Sequence, residues 1–186
     1  MFGFNSSGVD TFETAKWTLD LILDKLDPSE HYIWEPFTGS GRSTRYMRSR
    51  GFEVTNGDHA DFFRQRVPVP PENKKIVLVS NPPFSIKQEI LKRIKDDGIE
   101  RWALLLPISS ICTLYFINNV DVPSMSILFH QRQAKFISPV NEEEPKRAAP
   151  FEVCWFCMNL MPKGTFLMPN TNMSSRVMTK EEVAIK

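Results

Sequence analysis

Two unbroken apolar runs, Ile76-Val77-Leu78-Val79-Ser80 and Trp102-Ala103-Leu104-Leu105-Leu106, bracket a segment in which Ile86, Ile90, Leu91 and Ile94 recur at helical spacing. A strand that is apolar along its whole length must be covered on both faces, as in the interior of a parallel sheet layered between helices. The same alternation starts earlier. Trp17, Leu21, Ile22 and Leu26 mark a first helix, with Asp10 and Thr11 as candidate caps and Pro28 as its stop. His31-Tyr32-Ile33-Trp34 reads as a strand that opens into the turn Gly39-Ser40-Gly41, followed by a helix from about Arg42 to Arg50 and a strand from Phe52 to Thr55. Strands alternating with helices imply an α/β fold whose ligands gather at the carboxyl ends of the strands.

The last third changes character. Ser126 to His130, Lys135 to Ile137 and Val153 to Leu160 read as strands without a strong helix between them, as antiparallel strands closing the sheet. Asn141 to Arg147 reads as a solvated charged loop, and beyond Phe166 the chain turns polar. The 186 residues suit one domain, placed at 1–166, with 167–186 as a loosely held tail. Met1 to Asp10 lacks the basic and apolar blocks of a signal peptide, and no stretch is apolar enough to span a membrane. The expected location is intracellular, cytoplasmic or, in a eukaryote, nuclear. A net charge of +1 excludes no partner, because nucleic-acid binding depends on where cations cluster. Cys154 and Cys157 lie in an apolar run, where thiols serve as small hydrophobes, and no second pair completes a metal site.

Two segments that follow predicted strands carry the chemistry. In Glu35-Pro36-Phe37-Thr38-Gly39-Ser40-Gly41 the glycines let the backbone approach a ligand, and the next helix offers free amides. It is neither a Walker loop nor a complete dinucleotide fingerprint. Asp58, after the second strand, is placed to accept hydrogen bonds from ribose hydroxyls, and Asp61-Phe62-Phe63 supplies a carboxylate and an aromatic wall for a ring. The second segment is Asn81-Pro82-Pro83-Phe84. Its prolines donate no amide hydrogen, which leaves carbonyl oxygens as acceptors. An exocyclic amino group is a poor nucleophile because its lone pair is delocalised. The Asn81 side-chain oxygen and the Pro82 carbonyl can bind its two hydrogens and favour a tetrahedral nitrogen facing a methyl donor, while Phe84 stacks on the ring.

An acidic-Pro-Phe-x-Gly-x-Gly segment followed by Asn-Pro-Pro-Phe resembles the class I S-adenosylmethionine-dependent amino-methyltransferases, especially DNA adenine-N6 methyltransferases of the phage type. The likeness covers about residues 10 to 160. It includes Asp10 to Thr14, similar to the segment that leads into the first helix and touches the cofactor, although Ala15 stands where a proline is usual. The resemblance implies a Rossmann-like class I methyltransferase fold with a mostly parallel, seven-stranded sheet flanked by helices. It implies S-adenosylmethionine as cofactor, bound by Thr14, Glu35, Pro36, Phe37, Gly39, Gly41, Asp58, Asp61 and Phe62, with Asp58 on the ribose and Asp61 and Phe62 on the adenine. It gives Asn81, Pro82, Pro83 and Phe84 the catalytic role and assigns no metal. It also makes Lys135 to Ile137 and Pro150 to Trp155 the paired final strands.

The implied partner is nucleic acid, with DNA favoured and RNA open. If the target lies in a duplex, its base must be flipped out to reach Asn81. No stretch is long enough for a separate target-recognition segment, which leaves open a homodimer or a separate specificity subunit. Cytosine-N4 and protein glutamine-N5 methylation use the same tetrapeptide and stay open, as does a non-catalytic methyltransferase-fold subunit.

Overall fold

A computed structural model of the protein describes residues 14–130 and 152–168. The strands are β1 (His31–Trp34), β2 (Glu53–Thr55), β3 (Lys75–Ser80), β4 (Trp102–Pro107), β5 (Met125–His130), β6 (Val153–Met158) and β7 (Gly164–Met168). The helices are α1 (Lys16–Leu23), α2 (Arg42–Ser49), α3 (Lys87–Asp96) and α4 (Leu114–Asn119). The strands form one seven-stranded sheet in the order β2-β1-β3-β4-β6-β5-β7. Pairing is parallel except at β6, which runs antiparallel to both β4 and β5. The fold is thus α/β with a mostly parallel sheet, as expected.

Helices cover both faces, and β6 shows how. Adjacent residues of a strand point to opposite faces. Trp155 donates its indole N–H to Thr18 O of α1 (2.8 Å), whereas the Phe156 ring packs on Phe116 of α4 at 5.0 Å between centroids. Helix α2 lies beside α1, and α3 beside α4. The central strands β4 and β6 are buried at every position, which explains why their sequences show no alternation. Cys154 and Cys157, an odd number of residues apart in β6, face opposite sides of the sheet and cannot share a metal. Burial pushes the Cys154 thiol up to about 12, and burial followed by the neighbouring Cys154 pushes Cys157 higher still.

The ends of the chain differ from expectation in three places. The helical pattern reaches Leu26 in sequence, yet α1 ends at Leu23 and Leu26 is buried from the following turn. The segment after β4 is not simply loop: it forms a 3₁₀ turn over Ile108–Cys112 and then α4, whose six residues are too few for a legible period. A strand over Gly164–Met168, parallel to β5, runs past the expected domain limit at 166. The strand expected at Lys135 to Ile137, the charged loop at Asn141 to Arg147 and the caps at Asp10 and Thr11 lie outside the described residues.

Candidate active site

The chain runs from β1 outward to β2 and then returns to place β3 on the other side of β1. Loops leaving β1 and β3 diverge at such a switch point and open a crevice at the carboxyl ends of the strands. Because β1 and β3 are parallel neighbours, Ile33 opposite Val77 and Trp34 opposite Leu78, the turns that begin at Glu35 and Asn81 leave the same sheet edge side by side. Asp58 to Phe62 follow β2 and reach that edge too. Arg50, at the end of α2, binds Asp20 and Asp24 in the last part of α1, the latter at 2.7 Å. The two helices therefore run side by side in one direction, which brings Thr14 to the edge where α2 starts. All the residues singled out in the sequence gather at one edge.

Glu35 and Ser80 join the two turns. Ser80 ends β3, and its hydroxyl donates to Glu35 Oε1 (2.5 Å), which also accepts the Phe37 N–H (3.0 Å). Asn56 Nδ2 holds the Glu35 carbonyl (3.0 Å) and Thr44 Oγ1 (2.9 Å), tying β2 and α2 to the same point. Glu35 is 2% exposed. Burial pushes its carboxyl up to about 8, against the lowering effects of the Ser80 and Phe37 hydrogen bonds. Ser80 was not singled out in the sequence. Its signal was available, since it is a polar residue closing an apolar run directly before Asn81.

The glycine turn is open at one glycine and covered at the other. Gly39 has φ +51°, and a Cβ there would meet no atom within 4 Å. Gly41 caps α2 with φ +79°, and a Cβ would fall 2.9 Å from the Arg45 guanidinium. Gly41 is therefore required by its left-handed backbone, because the guanidinium is the movable end of a long side chain. Free space lies over Gly39.

At the second turn Asn81 and Pro83 are half-buried, and Pro82 and Phe84 are buried. Ile86 N–H reaches Pro83 O (3.4 Å), and Lys87 Nζ donates to Phe84 O (2.9 Å). No described residue donates to the Pro82 carbonyl. Phe84 belongs to the core at 8% exposure, so little of its ring meets solvent. In the loop after β2, Asp58 is exposed and accepts from Arg66 N–H (3.1 Å), while Asp61 caps a 3₁₀ turn through Phe63 N–H (3.0 Å). Phe62 is 2% exposed, between Trp34, Phe37 and the Arg93 guanidinium 4.5 Å from its centroid. The exposed ring beside Asp61 is Phe63, at 40%. Thr14 and Pro36 are buried and Phe37 half-buried.

An open groove of about 620 Å³ lies at the opposite edge, where β4 begins and α3 and α4 end. Lys95 Nζ there binds Asn118 O (2.8 Å) and Asn159 Nδ2 binds Glu100 O (2.9 Å), so these groups are satisfied within the chain. No helix among the described residues is long and apolar enough to cross a membrane. No protein-family model matches the chain, and no curated protein matches it.

Proposed function

We propose that the protein transfers a methyl group from S-adenosylmethionine to a planar exocyclic amino group, most specifically N6 of adenine in DNA, and that its sheet is the Rossmann-like class I methyltransferase fold. The observation that carries this reading is the direct link between the two turns at the switch point, Ser80 Oγ to Glu35 Oε1 at 2.5 Å. It joins a glycine turn suited to a cofactor and a turn suited to an amino acceptor in one crevice.

The donor set fits the cofactor. The space over Gly39 lies in the turn that follows the buried Glu35 carboxyl, which suits an ammonium-bearing methionine portion. The exposed Asp58 suits ribose hydroxyls, and Asp61 with the neighbouring rings suits the adenine, with Phe63 rather than Phe62 offering open surface. When bound, S-adenosylmethionine supplies an electrophilic methyl group on a sulfonium.

The chain's own residues prepare the acceptor. The Asn81 side-chain oxygen and the Pro82 carbonyl accept the two amine hydrogens, which withdraws the nitrogen lone pair from the ring and aims it. These neutral acceptors also stabilise the positive charge that develops on nitrogen. The small exposed area of Phe84 means that the base meets this ring in a slot rather than on an open shelf. The same edge carries Arg42, Arg45, Arg64, Arg66 and Lys87 around Asp58 and Asp61, a cation cluster suited to a phosphodiester backbone. This favours a nucleic-acid acceptor over a protein glutamine.

The test is to incubate the protein with methyl-labelled S-adenosylmethionine and, separately, with single-stranded DNA, duplex DNA, RNA and protein, then identify the modified unit. N6-methyladenine in DNA is the expected product. Label in RNA adenine, cytosine N4 or glutamine would redirect the acceptor, and absence of both cofactor binding and transfer would overturn the reading.

A further inference from the structure

The loop between β2 and β3 closes on itself through one side chain that the chemistry above does not use. Gln65 is 3% exposed. Its Oε1 accepts the Trp34 indole N–H at the end of β1 (3.0 Å), and its Nε2 donates to His59 O within the loop. Its main-chain carbonyl accepts from Arg93 of α3, which also pairs with Asp97 (2.8 Å) and covers Phe62. The amide lies directly over Gly57, where a Cβ would fall 2.0 Å from Gln65 Oε1 and 3.2 Å from Trp34 Nε1. Gly57 has φ +84°, so both backbone and space demand glycine there.

A buried side chain that only fills space has no need of an amide, because a polar tip must find partners or lose stability. Here donor and acceptor are both engaged, one fixing the loop to β1 and the other fixing its middle. The loop so held turns Phe62 inward and leaves Asp58 and Phe63 at the surface of the crevice edge.

We infer that Gln65 is a positioning residue for the cofactor, an inference that rests on the methyltransferase reading: without touching the ligand, its amide holds the turn from Gly57 to Asp61 in the shape that receives ribose and adenine. Gln65→Met keeps the volume and removes both hydrogen bonds. Cofactor Kd and KM should rise about tenfold, the scale of two lost hydrogen bonds, while kcat at saturating cofactor stays within about twofold. Backbone amides from Gly57 to Arg66 should exchange faster in the unliganded variant. Gly57→Ala, whose methyl displaces the amide, should raise KM by a similar factor, and it serves if Gln65→Met fails to fold. A folded variant with unchanged cofactor KM, or one that lowers kcat alone, overturns this inference while leaving the methyltransferase reading intact. Failure of the wild-type protein to bind S-adenosylmethionine overturns both.

Discussion

Asn81 and Glu35 sit at the starts of neighbouring turns and are assigned opposite tasks, one toward the acceptor and one toward the donor. Asn81→Ala should therefore lower kcat by about a hundredfold or more, the usual cost of losing one oriented group where charge develops. Its cofactor Kd, measured by calorimetry, should stay within a few-fold of wild type. Glu35 gives a different signature. Its carboxyl titrates near 8 in the folded protein against 4.5 ordinarily, so between these values the folded state holds a proton that the unfolded state has lost. Its contribution to stability is present below 4.5 and is lost as the pH rises through about 8. Urea midpoints of Glu35→Gln should show less decline over that window than wild type. Phe84→Ala, by contrast, is a poor probe of stacking. Phe84 is core, and truncating a buried Phe costs on the order of 3–5 kcal/mol of stability before any substrate arrives.

At the scale of elements, α1 and α2 are held together by polar contacts at the end remote from the glycine turn. Asp20 accepts from Tyr46 and Arg50, and Tyr46 is held well above its ordinary value, about 12, by burial first and the Asp20 hydrogen bond second. Asp20→Ala leaves the buried phenol without this acceptor. The expected loss is on the order of 1–3 kcal/mol in urea unfolding, with secondary structure retained by circular dichroism. The helical spacing of α1 and α2 was legible in sequence because both carry one apolar stripe. Their joint direction was not, since Asp20 and Arg50 lie thirty residues apart and polar pairs leave no periodic trace. Gln65 was hidden for the same reason: its partners Trp34 and Arg93 come from β1 and α3.

Taken as a whole, the protein is nearly neutral, yet the crevice edge gathers arginines and Lys87. Binding to single-stranded DNA, followed by fluorescence anisotropy, should weaken steeply with salt. The double variant Arg64→Glu, Arg66→Glu should reduce the slope of log K against log salt by about two, one for each lost phosphate contact. An unchanged slope would place the polynucleotide elsewhere on the surface.

The amino-acid sequence by itself determined the α/β alternation, the buried central strands and the positions of both motif turns, because these follow from local apolar period and from glycine and proline geometry. It also marked Asp58 and Asn81 as chemistry-bearing, since each polar residue comes soon after a strand. Only the tertiary structure decided which strands are neighbours. Strand order placed β3 beside β1 and thereby set Ser80 against Glu35, inserted β6 antiparallel between β4 and β5, and added β7 at the edge. It decided as well that Phe62 is core and Phe63 is surface, two identical residues side by side. The physical reason is the same throughout: pairing and burial depend on contacts between segments remote in sequence, which no local pattern encodes.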